Sequence, residues 1–176
     1  KNTNCNNTFI FRNDHHKLTL YYQPVIYDTD ECSVNGISLI RNNSIPVFTG
    51  DDDDNRSGGH YYSPDYLIKV EDDSSVRYLI LDAKFSDFVC VRRHHVKNLA
   101  FKYLFSMSPI RPTESIVGLC LIYGKCDASE QMQSAYDKRL HGQQIMPATE
   151  LLPLIEGVAN EGHYSKLDAL MRTVIT

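Results

Sequence analysis

Apolar and polar positions change their period along the chain, and the changes divide it into elements. KLTLYYQPVIY, residues 17 to 27, is rich in Leu, Tyr, Val and Ile and reads as a strand interrupted or ended by Pro24. SVNGISLI carries an Asn35-Gly36 turn into a second short strand, which predicts a hairpin near 21 to 41. Tyr62 to Val70 reads as a strand, EDDSS (71 to 75) as a turn, and Val76 to Phe85 as a stronger strand, together a β-hairpin. From about Arg92 the spacing shifts to three and four: Val96, Leu99, Ala100, Tyr103, Leu104 and Met107 predict an amphipathic helix, stopped at Ser108-Pro109. SIVGLCLIY, 115 to 123, is nearly continuous apolar sequence and suits a central strand covered on both faces. ASEQMQSAYDKRL is a helix candidate, QQIMPATELLPLI is ambiguous between strand and short helix, and HYSKLDALMRTVI has helical register. The order predicts one α/β domain around a mixed sheet.

Composition narrows this picture only slightly. With 176 residues and 42% hydrophobic content the chain can bury one substantial core, so 17–176 reads as a single domain behind a polar, asparagine-rich extension at 1–16. The start at Lys1 rather than Met suggests a piece of a longer protein. No apolar run has the length of a membrane span, and no signal peptide is recognisable, so no membrane partner is expected. The five cysteines (Cys5, Cys32, Cys90, Cys120, Cys126) are odd in number and form no CxxC, which indicates neither a disulfide framework nor a zinc site and favours a reduced, cytoplasmic setting. A net charge of −4 neither demands nor excludes a nucleic-acid partner. Asp51 to Asp54 read as a solvated loop, with metal binding the minority reading.

The chemistry concentrates in the predicted hairpin. Along RYLILDAKF, alternation puts Tyr78, Ile80, Asp82 and Lys84 on one face and Leu79, Leu81, Ala83 and Phe85 on the other. Asp65, on the preceding strand, falls where a hairpin of this size brings it towards Asp82. Two carboxylates and an ammonium in an apolar strand are costly unless paired or used. Converging Asp65 and Asp82 favour a hard divalent cation, Mg2+ or Mn2+ rather than zinc. A metal there would polarise a phosphoryl oxygen, and Lys84 would orient or activate the attacking water, which suits phosphodiester hydrolysis. The bland alternative is an Asp82–Lys84 structural ion pair with Asp65 capping a turn.

SPDYLI followed by YLILDAKF resembles the PD-(D/E)xK, or restriction-endonuclease-like, nuclease superfamily, and more narrowly the nuclease part of McrC-type restriction subunits and related bacterial defence proteins. The resemblance covers residues 18 to 123. It implies a restriction-endonuclease-like core, a mixed β-sheet flanked by helices. It also implies Mg2+-dependent hydrolysis of DNA, less often RNA, in restriction or antiviral defence, with Asp65 and Asp82 binding metal and Lys84 assisting the nucleophilic water. Many relatives add an upstream glutamate; the only one before Asp65 is Glu31, in turn-like surroundings. No P-loop or helicase pattern is present, so translocation or target recognition would fall to an NTPase or recognition partner or domain.

The predicted helix supplies Arg92, Arg93, Lys97 and Lys102 as candidates for contacting backbone phosphates, with a solvated polar face as the competing reading. In similar nucleases a lysine or glutamine on this helix lies near the active site, and the resemblance makes Lys97 and Lys102 both candidates for it. His94 and His95 are adjacent on the helix and point about 100° apart, so they do not share a metal. Tyr61, Tyr62 and Tyr66 suit either core packing or stacking on bases. Two other readings compete: a catalytically inactive module of the same fold that binds nucleic acid or a partner protein, and an α/β enzyme unrelated to phosphodiesters.

Overall fold

The computed structural model describes residues 7–28, 36–42, 61–125, 132–136, 145–154 and 168–172. Its strands are β1 (Thr8–Arg12), β2 (Lys17–Tyr22), β3 (Ile26–Tyr27), β4 (Leu39–Arg41), β5 (Tyr61–Tyr62), β6 (Tyr66–Glu71) and β7 (Val76–Asp87). After a helix, α1 (residues 88–105), come β8 (Met107–Pro109), β9 (Glu114–Lys125), β10 (Gln133–Ser134) and β11 (Ala148–Pro153), and residues 168–172 form a short helical segment, α2. Seven strands make one mixed sheet in the order β1-β2-β6-β7-β9-β11-β10. The β1, β2, β6 and β7 neighbours are antiparallel, whereas β7, β9 and β11 run parallel. The fold is thus mixed α/β, a many-stranded sheet with helices against it.

The β6–β7 hairpin forms where the sequence predicts it. Its turn is closed by Asp72, which accepts from Asp72's own neighbours Ser74 N and Ser75 N, both at 2.8 Å, while Asp72 N donates to Ser75 O. Such an Asx-type turn gives the backbone a local partner and fixes the register. The strand β7 feeds α1, which crosses over the sheet and returns the chain to β9, parallel to β7. One sheet face packs Tyr78, Ile80, Leu119 and Leu121 against Leu99 and Tyr103 of α1. The other packs Leu79, Leu81, Cys120 and Leu152 with Leu170 of α2. Strand β9 is covered on both sides, as its unbroken apolar run requires. Within it, Gly118 is closely approached: a Cβ would lie 3.1 Å from the Ala148 carbonyl oxygen and 3.2 Å from Leu79, so a side chain there would push its neighbours aside by a few tenths of an ångström.

Four expectations need correction. The helix occupies 88–105 rather than 92–107: Asp87 caps it by accepting from Cys90 N at 2.8 Å. Ser106 ends it, donating from both N and Oγ to Phe101 O. Met107 then joins a strand. The hairpin near 21 to 41 does not form, because β4 pairs with β8 and β3 pairs with β5. Asn35 lies outside the described residues, while Gly36 has φ +76°, where glycine carries no Cβ penalty. In the candidate helix near 128 to 140, the described Gln133–Ser134 is a strand on the edge of β11, whose open ladder outweighs a weak helical period. Within the ambiguous QQIMPATELLPLI, Ala148–Pro153 forms strand β11, and residues 143, 144 and 155 lie outside the described residues. Finally, the polar N-terminal stretch contributes β1, joined to β2 by a turn in which Asn13 Oδ1 accepts from His15 N and His16 N. No helix among the described residues is long and apolar enough to cross a membrane.

Candidate functional site

The hairpin register decides which charges meet. Tyr66 faces Leu81, so one further step sets Asp65 opposite Asp82. Asp65 Oδ2 accepts from Ala83 N at 2.6 Å, which ties the Pro-Asp segment to the strand carrying the other charges. Asp82 is 4% exposed, a carboxylate held in a protein interior, so its partners decide whether it is tolerated. It has two: Lys84 Nζ contacts Oδ1, and Tyr103 Oη donates to Oδ2 at 3.0 Å. The side-chain alternation expected for β7 therefore holds, with Asp82 and Lys84 together on the α1 side. The ladder to β9 is irregular between Lys84 and Asp87, so regular pairing gives out just after the lysine.

Helix α1 supplies the rest. Its last turns, residues 101–105, are π-helical, a widening often found at functional positions. This segment directs Lys102 and Tyr103 at the hairpin. Lys102 Nζ sits 4.9 Å from the Tyr103 ring centre and 5.3 Å from that of Tyr62. Burial pushes the Lys102 pKa below its ordinary value, Asp82 and Asp65 pull it back up, and Lys84 lowers it further. Two carboxylates and two ammonium groups thus share one neighbourhood. Tyr103 is 1% exposed, and burial followed by the charge of Asp82 raises its pKa well above the ordinary phenol value, so it stays a neutral donor. Its hydroxyl also lies 3.4 Å from Ser63 O, on the segment leading to Pro64 and Asp65.

Of the residues expected to act together, Asp65, Asp82, Lys84 and Lys102 come together. Lys97, Arg92 and Arg93 lie exposed on the earlier turns of α1, with Arg92 over the Phe88 ring at 5.9 Å. Glu31, Asp51 to Asp54 and His163 lie outside the described residues. Sequence reasoning placed Tyr103 in the apolar stripe and missed its hydroxyl; the signal was a tyrosine, rather than a phenylalanine, on the helix face opposing Asp82.

Among the described residues no group of three or more His, Cys, Asp and Glu side chains is arranged to hold a metal. The donor set is two carboxylates, and Asp65 Oδ1 is the oxygen not engaged by another described residue. The set is of the oxygen type that Mg2+ takes, although both oxygens of Asp82 already have protein partners. It does not suit zinc, which favours nitrogen and sulfur. No protein-family model matches the chain, and no curated protein gives a significant match.

Proposed function

We propose that this chain is a metal-dependent nuclease of the PD-(D/E)xK type, with a restriction-endonuclease-like core, that hydrolyses DNA phosphodiester bonds in a restriction or antiviral defence role. The observation that carries the reading is the convergence of Asp65, Asp82 and Lys84 at the β6–β7 hairpin, directly followed by the α1 crossover to a parallel strand. Asp65 and Asp82 would hold Mg2+, with Mn2+ as an alternative. The ion would supply Lewis-acid stabilisation of the phosphoryl oxygens and a more acidic water. Lys84 orients the attacking water and stabilises charge developing on phosphate, while Lys102 adds a second cation facing the same substrate group. Tyr103 holds Asp82 in one orientation. The test is cleavage of supercoiled plasmid, linear DNA and RNA with Mg2+, Mn2+ or EDTA. Metal-dependent cutting that disappears in Lys84→Ala is the expected outcome; equal cutting by the variant overturns the assignment.

One observation favours a second reading. Both oxygens of Asp82 are already occupied, by Lys84 and Tyr103, which also describes a catalytically silent module that binds nucleic acid or a partner protein. Nucleic-acid binding in EDTA with no cleavage in any metal would select it.

A further inference from the structure

The seven-stranded sheet ends on one side in an open, apolar edge. Strand β1 heads the sheet order, and among the described residues no strand lies outside it. Its three central side chains are apolar and half exposed: Phe9 at 54%, Ile10 at 53% and Phe11 at 59%. Register with β2 sets Phe9 opposite Leu20 and Phe11 opposite Leu18, so both rings share one sheet face, while Ile10, opposite Thr19, takes the other. The ladder also settles which backbone groups are open. Tyr22 N donates to Asn7 O at 2.8 Å, and Asn13 N donates to His16 O at 3.0 Å. Hydrogen-bonded pairs recur at every second residue of an antiparallel ladder, so Phe9 and Phe11 direct their N–H and C=O groups at β2. Thr8, Ile10 and Arg12 turn theirs outward. Natural edges are commonly blunted by lysine, proline or a bulge. TFIFR pairs with β2 in unbroken register, has neither lysine nor proline, and carries its one charge, Arg12, at the end.

The geometry points to a second copy of this chain as the partner, its β1 joined antiparallel to β1 about a two-fold axis at Ile10. Across such a ladder only outward-facing backbone groups can bond, so Thr8, Ile10 and Arg12 must meet their counterparts. Centring on Ile10 pairs Thr8 with Arg12, Ile10 with Ile10 and Arg12 with Thr8; centring on Phe9 or Phe11 leaves one terminal residue of the strand unpaired. The same register sets Phe9 of each copy opposite Phe11 of the other, on the face continued by Leu18 and Leu20, and sets each Arg12 opposite a threonine rather than a like charge. Strand β1 is thus self-complementary in side chains as well as in backbone. An isologous contact of this kind closes at the dimer. With four half-exposed rings of about 150–250 Å² each and two isoleucines, the contact covers on the order of 800 Å², so the dimer is weak, with a micromolar dissociation constant. The pairing does not depend on the nuclease reading.

The test is sedimentation equilibrium of the full chain under reducing conditions, from about 5 to 500 µM, a range that brackets such an affinity. The weight-average mass rises from 20.1 kDa towards twice that value. Ile10→Lys sets two ammonium groups opposite each other and weakens association by about tenfold or more. Ile10 is half exposed, so this variant keeps its fold, and a matching thermal transition checks this. Register is read by oxidation of single-cysteine additions, with the five natural cysteines of wild type as background. Ile10→Cys crosslinks to its own copy, because a hydrogen-bonded pair has its Cα atoms about 5.5 Å apart, within disulfide reach. Thr8→Cys and Arg12→Cys do not, since four residues, roughly 14 Å, separate each from its copy. A mass of 20.1 kDa at every concentration overturns the proposal, as does undiminished association in Ile10→Lys. Crosslinking at Thr8→Cys or Arg12→Cys as fast as at Ile10→Cys overturns the two-fold register at Ile10.

Discussion

Tyr103→Phe isolates one hydroxyl in the densest part of the molecule. The substitution keeps the ring, its edge-to-face contact with Tyr62 and its place in the core beneath α1. It removes the donor 3.0 Å from Asp82 Oδ2, which then remains buried with Lys84 as its one polar partner among the described residues. The second acceptor near that hydroxyl, Ser63 O, is farther at 3.4 Å, so the loss falls mainly on the carboxylate. A hydrogen bond to a charged group contributes about 1.5–3 kcal/mol, and orphaning a buried acceptor belongs to the same range. With a urea m-value of about 2 kcal/mol/M, the unfolding midpoint falls by roughly 1 M with an unchanged slope. A double-mutant cycle with Asp82→Asn gives the coupling directly: if the hydroxyl acts through the carboxylate, the double variant loses less than the sum of the single losses by about 1 kcal/mol or more. Additive losses, or a midpoint within ~0.2 M of wild type, would refute the assigned partnership.

Three further outcomes follow from other contacts. Lys84→Met removes a cation that competes for Asp82 Oδ1, so Mn2+ binding by calorimetry tightens about tenfold, the scale of a partly screened contact of ~1.4 kcal/mol, although turnover is lost; weaker Mn2+ binding would contradict the competition. Burial pushes the Glu71 pKa up, but Lys17 at 2.7 Å and Lys69 at 2.9 Å more than offset this and hold it below the ordinary value. Its stabilisation is therefore fully present above the ordinary glutamate value and is lost as pH falls from there through the lowered one, so Glu71→Gln flattens the acid limb of a melting-temperature profile; a parallel profile would count against the pairing. Gly118→Ala forces a Cβ against the Ala148 carbonyl oxygen between β9 and β11 and costs about 1–3 kcal/mol in denaturant unfolding, whereas a neutral result would mean the strands can separate freely.

Legibility in the sequence followed how local each determinant was. The β6–β7 hairpin was readable because Asp72 and its serines encode the turn within four residues, and alternation then fixed the common face of Asp82 and Lys84. Strand β9 was readable from its apolar run. The pairing of β4 with β8 was not, since it joins segments some 70 residues apart and leaves no periodic trace in either. Gln133–Ser134 shows tertiary pairing overriding local propensity. Lys102 was one of two candidates, and the widened turns at the end of α1 decided between it and Lys97. Tyr103 was concealed by its own usefulness to the core.

Whether Lys84 beside the two aspartates supports phosphodiester hydrolysis is decided by the single-turnover rate of wild type and Lys84→Ala on one labelled DNA strand in Mg2+. The expected result is Mg2+-dependent cleavage that falls by about 10²–10⁴ in the variant, the range lost with a positioned proton-transfer group, at an unchanged melting temperature. No cleavage by wild type, or a Lys84→Ala rate equal to it, would rule out a nuclease site built on Lys84.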